Sequence, residues 1–507
     1  MADWVVRRGG ERVLEPSFGD GIFLGAVAAS ASRRDLSVRL SGVEIDGAAR
    51  GRALATGLIA DADARLADFL AVEPFPVQAG IGNPPYVRLR HLPAEQRDRA
   101  LEAARLALGG EMDPSGSVWM PFVLHALRFL DAGGRLALVL PYEFTYVRYA
   151  RPLWKVLGEN FGSLRVLRAH ERVFPDLMQE VVILLADDHG SRTRGVRYQA
   201  FERVADLLAG YPVVDETIAI EDLLRGERAF IGALLGEELR HLLRTKIAGA
   251  TVAAREVAAF NIGYVTGDKT FFHPTAAEVR AYQLPAGSLR PAVTATRALR
   301  GGGLRTSALG ADQRSNLFLP DPQALRAGER RYIRWGEARG VSRRYKCRVR
   351  TPWYVTPDTR VPDVILSVFS ERPLLLINDA GYLASNSLLC GYLRAGATRE
   401  ALAASWYTSL TLLQCELEVH ALGGGVLVLV PREAGNVRLP ARIHAPADHL
   451  GRIDGLLRGG RVAEAYRAGD RPVLTEQLGL GEDEVALIRH GAAVLSHWRT
   501  SARSSLG

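Results

Sequence analysis

Cysteine is scarce: Cys347, Cys390 and Cys415 are the only three in 507 residues. None belongs to a CxxC pair, and no Cys/His cluster has metal-ligand spacing, which argues against a disulfide framework and against structural zinc, so no metal is expected. Long apolar runs are missing as well. Nowhere do about 18 uninterrupted apolar residues occur, and the opening MADWVVRRGGERV lacks the apolar core of a signal peptide, so a membrane span and a secretory leader are both excluded and a cytoplasmic location is expected. There is no low-complexity tract and no internal repeat, which removes disordered and solenoid classes. No PD-(D/E)xK-like nuclease segment is visible and no nuclease domain fits ahead of residue 12, so any cleavage is assigned to a separate endonuclease.

What is present is an ordinary globular composition with a basic balance. Apolar residues make up 48% of the chain, and 64 Lys and Arg against 56 Asp and Glu leave a net charge of +8. The length allows two or three domains. The charge suits a polyanionic partner such as nucleic acid, a weak signal until its distribution is considered.

From Arg12 to about Ala186 short apolar runs alternate with amphipathic stretches, the pattern of a parallel sheet with helices on both faces. Strands are predicted at Val13 to Glu15, Val38 to Glu44, Ala64 to Phe69, Val77 to Gly82, Arg135 to Leu140, Leu164 to Arg168 and Val181 to Ala186. Helices are predicted at Gly21 to Ser32, Gly47 to Leu58, Val118 to Asp131 and Ala150 to Asn160. The expected fold class is α/β, a doubly wound domain over residues 1–205. A helical linker (206–250), a mixed β-rich domain (251–445) and a C-terminal helical segment (446–507) follow, the second half being read from turn residues that break segments of strand period.

Three motifs in the first half carry chemistry. In RVLEPSFGDGIFLGAV an apolar strand runs through Glu15 into a Gly19-x-Gly21 turn that opens a helix, and in doubly wound sheets ligands sit at the carboxyl ends of such strands. Glu44 ends the second strand in VEID, about 25 residues on, where a carboxylate can accept from both ribose hydroxyls. NAD and S-adenosylmethionine share that arrangement.

The third motif, IGNPPYV, ends the fourth strand. Its two prolines fix the backbone and remove two N–H donors, so a rigid acceptor site results. Asn83 offers an amide oxygen and Pro84 a carbonyl to the two hydrogens of an amino group, with the flat ring of Tyr86 beside them. An aromatic amine is a poor nucleophile because its lone pair is delocalised. Acceptors placed out of plane localise that pair and stabilise the positive charge that develops on methylation. Methylation at cytosine C5 would instead need a thiolate, and none lies in this domain.

In motif content and order the sequence resembles the class I N6-adenine DNA methyltransferases of restriction-modification systems, in the gamma arrangement with the target-recognition domain after the catalytic one. The resemblance runs from LEPSFGDG through VEID, ADFL, GNPPY and VFPDLMQEVVILL into the second half. It implies a class I methyltransferase sheet, S-adenosylmethionine as cofactor and double-stranded DNA as partner. It further implies that Glu15, Pro16, Gly19 and Gly21 cradle the methionine part, that Glu44 holds the ribose and that Asp68 and Phe69 bind the cofactor adenine. Asn83, Pro84, Pro85 and Tyr86 would form the catalytic loop, and Phe174 would stack on the flipped target base, returning part of the few kcal/mol that flipping costs. Family members usually begin with a helix and a Thr-Pro-like segment; ADWVV alone stands there in this chain.

In the second half, RRYIRWGEARGVSRRYKCRVRTPWY interleaves Arg331, Arg334, Arg339, Arg343, Arg344, Lys346, Arg348 and Arg350 with Tyr332, Trp335 and Tyr345. Guanidinium groups suit phosphate contact and guanine readout, while the aromatics add stacking or packing. NIGYVTGDKTFF, INDAGYLASNS and GGGVLVLVPREAGNVRLP resemble the family's target-recognition domain. Two other readings fit the same residues: a DNA-binding subunit of a defence complex that does not methylate, and an NPPY-type methyltransferase acting on RNA or protein.

Overall fold

The computed structural model describes residues 1–174, 180–422, 425–440, 444 and 447–500. Its chain forms two compact units, the first covering residues 1–234 and the second beginning at Leu235.

The first unit is built on one nine-stranded sheet: β1 (Arg12–Glu15), β2 (Arg39–Glu44), β3 (Ala64–Leu66), β4 (Val77–Gly82), β5 (Leu130–Pro141), β6 (Phe161–Ala169), β7 (Val181–His189), β8 (Gly195–Phe201) and β9 (Val214–Ala219). The order is β3-β2-β1-β4-β5-β7-β6-β8-β9. Strands β3 to β5 in that order pair in parallel, as expected from the alternating pattern. Beyond them the sheet is mixed: β7 lies antiparallel between β5 and β6, and β9 is antiparallel to β8. Strand period alone cannot report pairing direction.

Helices α1 (Ala2–Val5), α2 (Ile22–Arg33), α3 (Gly47–Ala55), α4 (Ala94–Leu108), α5 (Trp119–Leu127) and α6 (Arg151–Asn160) accompany this sheet. Val13, Ala79, Ile81, Ala137, Ile183 and Leu185, on one face by the two-residue alternation of strands, pack with Leu24, Val27 and Ala31 of α2. Beside them the ADWVV segment is folded: Val5 and Val6 are fully buried, and Arg135 donates from Nε to the Val5 carbonyl at 2.6 Å. Arg135 also forms a buried ion pair with Glu11 at 2.5 Å.

One strand prediction ran too long. The segment Ala64 to Phe69 is a strand only to Leu66, because Asp68 accepts from Leu70 N at 3.1 Å and caps a 3-10 turn, Phe69–Ala71.

The described residues of the second unit form four small sheets and a set of helices. One core gathers Phe260, Val364 to Leu366, Leu375 to Ile377, Leu388 and Leu389 with Trp406, Tyr407 and Tyr466. A separate aromatic cluster joins Phe271, Phe272, Phe318 and Tyr332. Among the described residues no helix is long and apolar enough to cross a membrane.

Candidate active site

The strand order reverses direction between β1 and β4, and a crevice opens at the carboxyl ends of strands where that happens. Here it is a cavity of about 370 Å³. Pro16, Gly19, Glu44, Asp68, Phe69, Asn83 and Pro85 line it together with Ser17, Ile45, Leu70, Gln96 and Phe122. The residues singled out in four separate motifs thus meet at one opening. Glu15, Gly21, Pro84, Tyr86 and Phe174 stand outside that lining.

Each of these residues has a local reason for its place. Gly19 and Gly21 adopt φ of +50° and +80°, values that side chains disfavour, and a Cβ on Gly19 would meet no protein atom within 4 Å, so a ligand can approach the backbone. Glu44 accepts from Gly19 N and from Asp46 N, both at 2.8 Å, so its carboxylate fixes the glycine turn and the start of α3. Glu15 lies beneath, accepting from Leu24 N at 3.2 Å. Burial raises the Glu15 carboxyl well above the usual range, and the neighbouring Glu44 charge adds to this against the Leu24 amide. Phe69 lines the cavity while its ring packs against Phe122, His125 and Phe129 at centroid distances of 5.2, 4.9 and 5.2 Å. Asp68 also faces Arg99 at 3.3 Å.

Asn83 follows β4 directly. Tyr86 Oη donates to Asn83 Oδ1 at 2.5 Å and lies 3.1 Å from the Val139 carbonyl, and Ser17 Oγ donates to the Asn83 carbonyl at 3.3 Å. Burial pushes the Tyr86 phenol up, so it stays protonated and remains a donor. Asn83 Oδ1 keeps a second lone pair. Among the described residues no hydrogen bond ends on the Pro84 carbonyl.

Sequence reasoning missed what holds this loop. Val87 O accepts from Val118 N and Ser117 Oγ, both at 2.9 Å, and Leu89 N donates to Gly116 O at 3.0 Å. Arg88 pairs with Glu143 at 2.7 Å, and the same carboxylate accepts from Tyr149 Oη at 2.6 Å and from Trp119 Nε1 at 3.4 Å. The adjacency of Arg88 to the NPPYV loop was a usable signal; the return of Glu143 from the end of β5 was not. Ile45 was missed too, an apolar side chain 58% exposed beside a strand-ending acid and lining the cavity. Phe174 is half-buried in a bend; its neighbours Pro175, Asp176 and Gln179, expected in the same loop, lie outside the described residues.

The basic run divides. Tyr332 and Trp335 stack on each other and on Phe271, the packing alternative for these aromatics. Arg331, Arg334, Arg339, Arg343, Arg344, Lys346 and Arg348 are exposed, whereas Arg350 is half-buried.

Residues 227–474 match the family model for the C-terminal domain of type II methyltransferase M.Eco57I. The chain is 25% identical over 421 residues to type II methyltransferase M.PaeR7I of Pseudomonas aeruginosa, covering 73% of this chain and 68% of that protein. It is 20% identical over 401 residues to M.AccI of Acinetobacter calcoaceticus, covering 76% and 72%. Against the crystal structure of the type IIG restriction endonuclease BpuSI the TM-score is 0.45 at 12% identity, over 98% of this chain and 64% of that one. The chain therefore spans roughly two thirds of the length of these proteins. By sequence the chain is thus similar to type II methyltransferases, and its residues 227–474 match the C-terminal domain of M.Eco57I.

Proposed function

We propose that this protein methylates DNA, transferring a methyl group from S-adenosylmethionine to N6 of an adenine turned out of the duplex, within a restriction-modification system. The observation that carries the reading is the Asn83–Tyr86 loop, whose Asn83 lines the same cavity as Gly19 and Glu44. The cavity fits the cofactor: open space stands over Gly19, Glu44 is a fixed carboxylate for a ribose, and Ile45 and Phe122 give an adenine ring apolar contact. When bound, S-adenosylmethionine supplies an electrophilic methyl group on a cationic sulfur.

The chain's own residues do the rest. Tyr86 polarises and orients Asn83 Oδ1, leaving one lone pair for an amine hydrogen, and the Pro84 carbonyl is free to take the other. The two acceptors localise the amine lone pair and stabilise the charge it acquires. Neither needs to be a base, since the amine loses its proton after the methyl arrives. Arg88 and Glu143 hold the loop so that little reorganisation is needed. Phe174, which follows β6, is the candidate to stack on the displaced base. The exposed basic run of the second unit is the candidate DNA surface.

The test is transfer of label from tritiated S-adenosylmethionine to unmethylated genomic DNA. Wild-type protein is expected to label DNA and Asn83→Ala to bind the cofactor but not label it. Equal labelling by both proteins would overturn the assignment of the loop.

A further inference from the structure

Within the basic run the fold separates cations that are committed inside the protein from those left to solvent. Arg350 donates to the Val265 and Thr266 carbonyls at 2.5 and 2.9 Å, Arg344 pairs with buried Asp268 at 2.7 Å, and Arg331 donates to the Tyr282 carbonyl at 3.1 Å. Beyond them the short helix Tyr345–Arg348 leaves Tyr345 63% and Val349 64% exposed. Arg343, Lys346 and Arg348, adjacent to this pair in sequence, are exposed and, among the described residues, face no carboxylate at ion-pair distance. Lys346 and Arg348 lie over the Tyr345 ring at 5.4 and 5.5 Å.

This tip is preorganised. Cys347 is fully buried beneath it, and its N–H and that of Arg348 both donate to the Arg344 carbonyl at 2.9 Å. Gly267 lies under the helix so closely that a Cβ there would come within 2.8 Å of Lys346 Cβ and 3.1 Å of Cys347 Sγ. A fixed backbone therefore presents Tyr345 and Val349 to water on a segment whose exposed cations Arg343, Lys346 and Arg348 face no carboxylate among the described residues. Exposed apolar surface is unfavourable on its own, and a rigid tip loses little conformational entropy on binding. The cations select a polyanion, and the flat ring with its apolar neighbour suits base edges and thymine methyl groups.

We propose that Arg343–Val349 is the element that enters a groove of duplex DNA, Tyr345 and Val349 meeting the bases while Arg343, Lys346 and Arg348 meet flanking phosphates. It rests on the reading of this chain as a DNA-modifying enzyme and names the part that does the recognising.

Fluorescence anisotropy of the full chain with mixed-sequence duplex DNA across a salt series tests it, without methyl donor, so that catalytic failure leaves the result readable. The triple variant R343Q/K346Q/R348Q is expected to lower the salt-dependence slope by about 2 to 3, close to 0.9 for each phosphate no longer neutralised. Tyr345→Ala is expected to weaken binding roughly tenfold with the slope unchanged, and Tyr345→Phe to bind as wild type. Wild-type affinity and slope in both the triple variant and Tyr345→Ala would overturn the proposal. So would a triple variant that binds DNA as wild type does but no longer binds anionic phosphatidylserine vesicles, which would make the tip a membrane contact. Asn83→Ala separates the two readings: if it still labels DNA, the catalytic assignment fails while the tip is judged on binding alone.

Discussion

The Asn83–Tyr86 loop and the Arg343–Val349 tip are both short, hydrogen-bonded segments with an aromatic residue, yet they are built to opposite ends. The first turns its tyrosine inward, where Tyr86 Oη engages Asn83 and Val139, and offers neutral acceptors beside a cavity. The second turns its tyrosine outward among cations that face no carboxylate among the described residues. The contrast teaches where charge is useful. Acceptors that act on a reacting amine are strongest when held still and partly dry, whereas contacts to phosphate act through exposed charge and are tuned by salt.

Substitutions should respect that contrast. The largest effect is expected in the first unit, where Arg135→Met leaves the buried Glu11 carboxylate without its counter-ion and should cost about 3–5 kcal/mol in denaturant unfolding. Lys346→Gln at the exposed tip should by comparison stay within about 0.5 kcal/mol of wild type. Equal losses at the two sites would erase the distinction. Next, Asn83→Ala should lower the methyl-transfer rate by about 10²- to 10³-fold, the scale of removing one preorganised group that stabilises developing charge, with cofactor affinity little changed in calorimetry. Glu143→Gln should act in the same direction but less, about tenfold on the rate, because Arg88 loses its charged partner while the loop keeps its bonds to Ser117 and Val118. A fall in cofactor affinity instead of rate would place Glu143 outside loop positioning.

The smallest effect concerns pH. Burial keeps Glu15 protonated in the folded chain above the pH at which the unfolded chain releases that proton. Stability should therefore decline as pH rises from the usual carboxylate range through the raised folded value, and Glu15→Gln should flatten that part of the Tm–pH profile. An unchanged profile would mean that the Glu15 carboxyl titrates alike in both states.

How legible all this was depends on whether the chemistry is contiguous. Strands β1, β2 and β4 and the residues Glu15, Gly19, Glu44 and Asn83 could be read because a strand end and its turn occupy a few consecutive positions. Helix α4 escaped because it buries only Ala100, Ala103 and Ala104, which leave little apolar periodicity. Strand β9 escaped because a single residue, Ile218, is buried along it. The antiparallel insertion of β7 is a pairing choice that period cannot encode. In the basic run, Tyr332 and Tyr345 are the same residue type 13 positions apart, one stacked on Phe271 and the other in solvent, and only the packing of the helix Ala327–Ala338 separates them. Glu143 reaches Arg88 from 55 residues away, a distance no local motif spans.

The central claim is that the loop after β4 holds an adenine amine of DNA to receive the methyl group of S-adenosylmethionine. Digestion to nucleosides of DNA incubated with the protein and isotopically labelled S-adenosylmethionine, followed by mass spectrometry, tests it most directly. The account predicts label in N6-methyl-2′-deoxyadenosine with wild-type protein and its loss with Asn83→Ala. Label in a cytosine derivative, or DNA that stays unlabelled while RNA or protein acquires the methyl group, would contradict it.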